Sequence, residues 1–273
     1  SKIEPRQGFF DESVIQHYRN VCDSLLLNGI KPVITLHHFT NPIWFENLGA
    51  FEKEENSKYF INFAKKVFEK LHDLVPMWCT FNEPSVYVSQ GYFNGVFPPG
   101  KKNPTLAGIV LKNILNTHVS LYHELKDITS KENIKIGIVK NIFQFDPLRR
   151  WNLMDWIISK VLNDVYTNDP ITFFKTGKFN FFLPGANSIE FERIEAIESM
   201  DFIGLNYYSR LHVKSRFNIK NLFTLEARKK DFQTDMNYPL YAEGFYRALH
   251  KVNEIGVPIY VTENGVADKK DDF

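Results

Sequence analysis

Short apolar runs of strand length alternate with amphipathic segments of helix length along most of this 273-residue chain. The runs predict buried strands, and the segments between them predict helices. Strands that are apolar on both faces and separated by helices indicate a parallel sheet covered on both sides. The predicted strands lie at residues 31–39, 77–82, 135–140, 201–208 and 257–262.

Apolar residues spaced three and four apart predict the main helices, at 11–28, 57–74, 106–125 and 241–255. The stretch 142–185 is expected to be irregular apart from a helix near 154–166, and a short helix is expected at 188–198. The basic segment 210–230 is interpreted as a long surface loop or hairpin. Because no linker or low-complexity tract divides the chain, we expect a single domain over residues 1–273.

Polar side chains gather where the predicted strands end. They are His37, His38, Asn82, Glu83, Asn206, Tyr208, Glu263 and Asn264. No glycine-rich phosphate loop follows any strand, which argues against an open nucleotide-binding sheet. Reactive side chains at the C-terminal ends of several strands are typical of a (β/α)8 barrel. We therefore predict an α/β fold of the (β/α)8, or TIM, barrel type.

Two glutamates are the strongest candidates for catalysis. Glu83 ends the segment Thr-Phe-Asn-Glu before a proline, and Glu263 lies in Val-Thr-Glu-Asn-Gly, 180 residues later. A single glutamate at a strand end is more often a solvated loop residue. Two of them in such settings are what cleavage of a glycosidic bond requires, one as acid/base and one as nucleophile. Glu83 and Glu263 are therefore the predicted catalytic pair.

Charge, hydropathy and cysteine content argue against several other kinds of protein, such as nucleic-acid-binding, membrane-spanning and disulfide-rich proteins. A net charge of +1 gives no electrostatic reason to expect nucleic acid or an anionic membrane as partner, and no apolar run is long enough to span a bilayer. The two cysteines, Cys22 and Cys79, lie far apart in apolar runs and suggest buried thiols in a reducing, cytoplasmic compartment. No histidine or cysteine spacing suggests a metal site, and we expect no cofactor.

An ordered set of motifs resembles glycoside hydrolase family 1, the β-glucosidase and β-galactosidase family. The set comprises Ser1–Pro5, Thr35–Phe39, Thr80–Pro84, Asn94–Gly100, Asp201–Tyr208 and Thr262–Gly265. The motifs occur in the family's order over nearly the whole chain. The resemblance implies a TIM barrel that hydrolyses small β-glycosides or oligosaccharides with retention of configuration. It carries no prediction of an oligomeric state.

The resemblance also implies roles for individual residues. Glu83 would be the general acid/base and Glu263 the nucleophile. Tyr208 would hydrogen-bond and orient Glu263, with Asn206 as a supporting polar group beside it. These four positions match the family's motifs residue by residue.

Two more residues are expected to bind the sugar. By the same resemblance, Asn82 would contact the 2-hydroxyl and His38 the 3-hydroxyl. His37 and His38 are adjacent on a strand and therefore point to opposite faces, so that His37 is more simply a core residue.

The chain departs from the family in three ways. Phe39 replaces a usual Trp, a change also seen in the 6-phospho-β-glycosidase branch, and Ser85 stands where many members carry a Trp at the aglycone site. The chain is also shorter, with segments matching about strands 3 to 7 of the barrel, as expected of a fragment lacking both ends. Three alternatives follow: a 6-phospho-β-glycosidase, a non-catalytic fragment, or a glycan-binding module.

Overall fold

The computed structural model describes residues 2–129, 133–216 and 222–269. Helices and strands alternate over most of this length. The strands are β1 (Val33–His37), β2 (Met77–Asn82), β3 (Lys135–Pro147), β4 (Lys178–Phe181), β5 (Ile189–Glu192), β6 (Phe202–Ser215), β7 (Phe223–Glu226) and β8 (Ile259–Asn264). The helices are α1 (Glu12–Leu27), α2 (Ile43–Asn47), α3 (Ser57–Leu71), α4 (Pro84–Val88), α5 (Pro104–Ile128), α6 (Leu153–Asn163), α7 (Asp169–Thr176) and α8 (Ala242–Val252).

Five of the strands form one parallel sheet in the order β1-β2-β3-β6-β8. β7 folds back antiparallel on the C-terminal half of β6, and β4 and β5 form a separate antiparallel ribbon. Strands that are joined through helices and pair side by side in one direction are the repeating unit of a (β/α)8 barrel. The sheet is therefore part of such a barrel, as predicted.

The register of the sheet aligns the C-terminal ends of its strands. Asn141 on β3 lies opposite Asn206 on β6, and Asn206 lies opposite Glu263 on β8. Glu83 directly follows β2, and its backbone N–H donates to the carbonyl of Val139 on β3. Polar residues that are far apart in the sequence therefore lie on neighbouring strands at one end of the sheet.

The core lies between the sheet and the helix layer. On α3, Phe60, Ala64, Val67, Phe68 and Leu71 are buried, which is the stripe expected for a helix packed on one face. The two edge strands of the sheet are less buried than this core: Val33 on β1 is 51% exposed and Val261 on β8 is 48% exposed. Among the described residues, no strand pairs with either outer edge, so the sheet is open.

Two elements differ from the sequence prediction. The stretch predicted as irregular after residue 142 instead continues β3 to Pro147, because residues 144–147 pair with residues 210–213 of β6. Of the short helix predicted at 188–198, residues 189–192 instead form a strand that pairs with β4, and only Ile194–Glu198 are helical, as a 3-10 turn. The first error arises from pairing between distant segments, and the second from a short ribbon in which tertiary pairing overrides local preference. The predicted hairpin at 210–230 is observed as β6 and β7, and residues 217–221 lie outside the described residues.

The two cysteines are buried thiols, as predicted. Cys22 and Cys79 are both buried and free, and burial raises the pKa of the Cys79 thiol to about 11. A buried thiol of this kind is a poor nucleophile.

Over residues 2–129, 133–216 and 222–269, no helix is both long enough and apolar enough to cross a membrane.

Gly137→Ala is expected to destabilise the fold. Gly137 is the third residue of β3 and is paired on both sides of the sheet, and a Cβ at this position would collide with the backbone carbonyl oxygen of Phe202 on β6. Because a backbone atom in a paired strand cannot move aside, we expect a loss of about 1–3 kcal/mol in the free energy of unfolding. Urea denaturation measures this loss. Gly265→Ala is the control, since its Cβ would meet nothing within 4 Å, and equal losses in the two variants would contradict the prediction.

Candidate active site

The six residues predicted from the sequence lie together at the C-terminal ends of the parallel strands. Three of them form a chain of contacts: His38 after β1, Asn82 on β2 and Asn206 on β6. Nδ2 of Asn82 lies 3.2 Å from Nε2 of His38. Nδ2 of Asn206 lies 3.3 Å from Oδ1 of Asn82. Asn206 also donates to Glu83 at 2.7 Å. Tyr208, two residues after Asn206, donates its hydroxyl to Glu263 at 2.7 Å. The arrangement is a polar cluster built from distant parts of the sequence.

The backbone of Glu83 is held in an unusual conformation. Its φ and ψ of 47° and 63° lie in the left-handed region, which is uncommon for a residue with a side chain. Pro84 follows as the first residue of α4, so the chain turns sharply from strand to helix at this glutamate. Such strained residues cluster at functional sites, where the surrounding structure holds them in place.

The carboxyl of Glu83 is buried and surrounded by amides. Its Oε1 accepts from Nδ2 of Asn206 at 2.7 Å and from Nδ2 of Asn141 at 3.1 Å. Burial raises the pKa of Glu83 above its usual value and the nearby charge of Glu263 raises it further, while the two amides and Lys140 oppose the rise. A carboxyl with a raised pKa holds its proton nearer to neutral pH, as a proton donor must.

Glu263 has a different setting. It is half-buried at the end of β8, and its Oε2 accepts the hydroxyl proton of Tyr208. Burial and the charge of Glu263 raise the pKa of Tyr208, so that the phenol keeps its proton and remains a donor. A donor aimed at one oxygen fixes the orientation of the Glu263 carboxylate.

The two adjacent histidines point to opposite sides of the sheet, as expected. His37 is buried among the rings of Phe51, Phe60 and Phe81, and burial lowers its pKa to about 4. His38 is exposed on the side of the polar cluster and contacts Asn82. His37 is therefore a neutral core residue, whereas His38 is available to a ligand.

Asn141, Lys140 and Tyr166 also belong to the cluster, although the sequence reasoning missed them. Asn141 bonds to Glu83, and Tyr166 donates its hydroxyl to Oδ1 of Asn141 at 2.8 Å. Asn141 could have been found, because it follows an apolar strand run just as Asn82 and Asn206 do. Tyr166 carries no such signal, since it reaches the site from the middle of the π-helical turn Asp164–Asn168 that follows α6.

Lys140 is buried beside this network. Its Nζ donates to the carbonyl of Asn141 at 2.6 Å and to Oγ of Ser85 at 3.1 Å, and it lies 4.5 Å from the ring centroid of Tyr166. These partners are uncharged, and burial lowers the pKa of Lys140 to about 7 while the charge of Glu83 opposes the drop. The protonation states of Lys140 and Glu83 are therefore coupled.

Lys140→Met is expected to raise the pKa of Glu83 further. The positive charge of Lys140 favours the ionised carboxylate, so that its removal favours the protonated form. Carbon-13 NMR titration of protein labelled at the glutamate carboxyl carbons measures the change, with Glu83→Gln to assign the signal. Lys135→Met is the matched control, because Lys135 is an exposed lysine on the same strand. Identical Glu83 titration curves in the two variants would contradict the coupling.

Within the described part of the chain, no three histidine, cysteine, aspartate or glutamate residues are grouped so that they could hold a metal ion. The cluster offers instead two carboxyls with different surroundings, together with amide, imidazole and phenol groups that can bond to hydroxyls. Such a set suits acid/base and nucleophilic chemistry on a polyhydroxylated substrate.

All but the last residue of the chain matches a family model. A profile described as Glycosyl hydrolase family 1 fits residues 1–272. The chain belongs to this family. The resemblance drawn from the motifs is thereby confirmed.

Relatives in glycosyl hydrolase family 1 carry several activities. A beta-galactosidase of Pyrococcus woesei is 31% identical over 98% of this chain, and beta-glucosidase A of Thermotoga maritima is 28% identical over 95% of it. A 6-phospho-beta-galactosidase of Clostridium acetobutylicum is 27% identical over 99% of the chain. The structure of a beta-glycosidase from Pyrococcus horikoshii superimposes with a TM-score of 0.86 and 33% identity over 100% of the chain.

This family member spans only part of the length of its relatives. It covers 60% of the Pyrococcus woesei protein, 59% of the Thermotoga maritima protein and 62% of the Pyrococcus horikoshii structure. Its five parallel strands correspondingly make up part of a barrel.

Phe39 and Ser85, the two residues at which the sequence departs from the family's usual Trp, both contact residues of the polar cluster. Phe39 has a positive φ of 65°, and its ring packs against His38 and Phe97. Ser85 is buried, and its hydroxyl donates to the backbone carbonyl of Tyr166 at 2.8 Å. Within this family member, therefore, the residue two positions after Glu83 is a small one whose polar atom is already bonded to protein.

Proposed function

We propose that this chain carries the catalytic pair of a retaining β-glycosidase that removes terminal β-linked sugars from small glycosides. Glu83 is the general acid/base and Glu263 is the nucleophile. His38, Asn82, Asn206 and Tyr208 bind the sugar or orient the two carboxyls. Glucosides are the preferred test substrates, because a β-glucosidase is among the similar relatives.

One observation carries the proposal. Asn206 donates its side-chain amide to Glu83, while its backbone lies opposite Glu263 in the register of β6 and β8. A single residue thus joins two carboxyls that come from strands 180 residues apart in sequence. The buried Glu83 favours the protonated form, whereas Glu263 is only half-buried and accepts the hydroxyl hydrogen bond of Tyr208. Two carboxyls in contrasting environments are the arrangement that double displacement needs.

In the first step, Glu83 donates its proton to the glycosidic oxygen as the bond from the anomeric carbon to that oxygen breaks. The carboxylate of Glu263 attacks the anomeric carbon from the opposite side and forms a covalent glycosyl ester. The leaving group departs as a neutral alcohol. Asn141 and Asn206 bond to Oε1 of Glu83 and stabilise the carboxylate that remains.

In the second step, the ionised Glu83 accepts a proton from a water molecule. The oxygen of that water attacks the anomeric carbon and the ester bond to Glu263 breaks, and the proton taken from water leaves Glu83 protonated for the next cycle. Two inversions restore the original configuration. Glu83 therefore has to exchange its proton in each cycle, for which a pKa above the usual carboxyl range is suited.

Hydrolysis of matched 4-nitrophenyl β-glycosides tests this function. The series contains the glucoside, the galactoside and the 6-phosphoglucoside, and proton NMR of the first-formed sugar reports its anomeric configuration. Release of the β-anomer from a neutral glycoside supports the proposal. Activity confined to the 6-phosphoglucoside would favour the alternative substrate class, which a similar relative's name also suggests. Sugar binding without hydrolysis would instead indicate a glycan-binding module.

A further inference from the structure

Helix α6 carries large apolar side chains on its exposed side. Its fully buried side chains, Asp155 and Ser159, are polar. Together with a tryptophan two residues before the helix, the exposed apolar residues are Trp151, Leu153, Met154, Trp156 and Ile157, and we refer to these five as the α6 apolar face. Trp151 is 80% exposed and Leu153 is 71% exposed. A helix of a globular protein normally turns its apolar stripe toward the core, so that an exposed one indicates a binding surface.

Asp155 holds the helix in this orientation. Its carboxylate accepts hydrogen bonds from the backbone N–H, Nε and Nη2 of Arg149 and from the backbone N–H of Ser215 on β6. Burial alone would favour the protonated acid, but these donors hold the pKa of Asp155 well below its usual range. Rotating α6 to bury its apolar face would separate a charged carboxylate from its partners, which is costly. The α6 apolar face therefore stays outward.

The α6 apolar face lies away from the open edges of the sheet. α6 packs against β3 and β6, and both of these strands are paired on each side. Further parallel strands of a barrel would pair with β1 and β8 instead. Strand pairing at those edges therefore does not account for this face.

Basic side chains adjoin the α6 apolar face. Arg150 is exposed beside Trp151, and it has no ion-pair partner among residues 2–129, 133–216 and 222–269. Lys160 is exposed near the other end of α6 and pairs with Asp164. Because an exposed pair at this spacing is weak, Lys160 can exchange it for another anion. Since Asp155 is buried, the exposed charge beside the face is mainly positive.

We propose that the α6 apolar face docks on a lipid bilayer whose surface carries anionic headgroups. Tryptophan is enriched at the membrane–water interface, and an apolar helix face with basic residues beside it lies in the plane of that interface. Trp151 and Trp156 lie at the level of the headgroups, and Arg150 meets the lipid phosphates. The net charge of +1 for the whole chain does not oppose this contact, because exposed charges act only within about 8 Å at physiological salt. Tyr166, in the turn after α6, reaches the polar cluster, so that docking brings the cluster near the bilayer.

A second copy of the chain fits this face less well. In a two-fold contact the same surface faces itself, so that Arg150 and Lys160 of one copy would meet the same cations of the other. A stable protein–protein contact also takes about 20–30 residues a side, whereas the α6 apolar face has five. A bilayer accepts so small a face, because side chains that enter the headgroup region need no complementary surface.

Co-sedimentation with lipid vesicles tests the proposal. The unmodified protein is expected to sediment with vesicles of equimolar phosphatidylcholine and phosphatidylglycerol, and less with vesicles of phosphatidylcholine alone. Arg150→Gln is expected to weaken binding to the mixed vesicles about fivefold and to leave binding to phosphatidylcholine unchanged. Absence of binding to the mixed vesicles would overturn the proposal. Equal binding of the unmodified protein to both kinds of vesicle would overturn the role of anionic headgroups.

A matched pair of leucine variants locates the contact. Leu153 on α6 and Leu27 at the end of α1 are both exposed, so that neither change is expected to disturb the fold. Leu153→Gln is expected to weaken vesicle binding at least about tenfold, because it removes an apolar side chain from the bilayer, whereas Leu27→Gln leaves binding unchanged. Equal losses would overturn the assignment to α6. Self-association without lipid that only Leu153→Gln abolishes would show that a second copy occupies the face, and would also overturn the proposal.

Tryptophan fluorescence gives an independent test. Lipids brominated on their acyl chains are expected to quench the emission of the vesicle-bound protein. A variant with both Trp151→Phe and Trp156→Phe keeps the face apolar and should still bind. Most of the quenching should disappear, however, since Trp78 is buried in the core and Trp44 packs against it. Equal quenching in the variant and the unmodified protein would place the contact elsewhere and overturn the proposal.

Discussion

Glu263→Gln is expected to lower kcat/KM for β-glycosides by at least about 10⁴-fold, because the amide cannot attack the anomeric carbon. The loss should be similar for good and poor leaving groups, since every substrate needs the nucleophile. Steady-state kinetics with 4-nitrophenyl and alkyl β-glucosides measure it. The hydrogen bond from Tyr208 can still be accepted by the carbonyl oxygen of glutamine, so the fold around the site should be retained.

Glu190→Gln is the matched control for this variant. Glu190 is an exposed glutamate on β5, outside the polar cluster, and its replacement is expected to leave kcat/KM unchanged. Retention of more than about a tenth of the activity in Glu263→Gln would contradict the assigned role. Similar losses in the two variants would show that the effect is not specific to the site.

Glu83→Gln is expected to produce a loss that depends on the leaving group. Alkyl β-glucosides need a proton on the departing oxygen, and their cleavage should fall by about 10²–10⁴-fold. A 2,4-dinitrophenyl glucoside departs without protonation, so the first step should fall by less than about tenfold. Rapid-reaction kinetics with the two substrates separate these effects. The alkaline decline of kcat/KM for alkyl glucosides, which reports loss of the proton from Glu83, should also disappear in this variant.

A uniform loss would contradict the assignment of Glu83 as the acid. If both leaving groups were affected equally, the residue would be acting on position or on folding rather than through its proton. The neighbouring amides make this comparison clean, because Asn141 and Asn206 can still donate to the carbonyl oxygen of glutamine at residue 83.

Much of the architecture could be predicted from local patterns. Helix α1 begins where Asp11 caps the backbone N–H groups of Ser13 and Val14, and it ends before Asn28 and Gly29, as its sequence indicates. Strand β2 has the predicted bounds of 77–82, a mostly apolar run that ends at Asn82. The extension of β3 to residue 147 could not be predicted in this way, because it depends on pairing with β6.

The site residues, too, divide into those that the local sequence indicated and those that depend on contacts between distant segments. Polar residues at strand ends were informative, since the register of a parallel sheet brings such positions together. Lys140 could not be found by that rule, because a lysine in a strand is ordinarily taken to be exposed. Its burial depends on Ser85 and Tyr166, which come from distant segments of the chain. The catalytic roles of Glu83 and Glu263 stay predictions that the variants above test.

The most direct test of the central claim is intact-mass analysis of the protein after incubation with a 2-deoxy-2-fluoro-β-glucosyl compound that carries a good leaving group. The fluorine slows both steps, and the activated leaving group allows the first to proceed, so the glycosyl ester accumulates. We predict a single adduct, which peptide mapping locates on Glu263. The absence of an adduct on a protein shown to be folded by circular dichroism, or an adduct on another residue, would contradict the account.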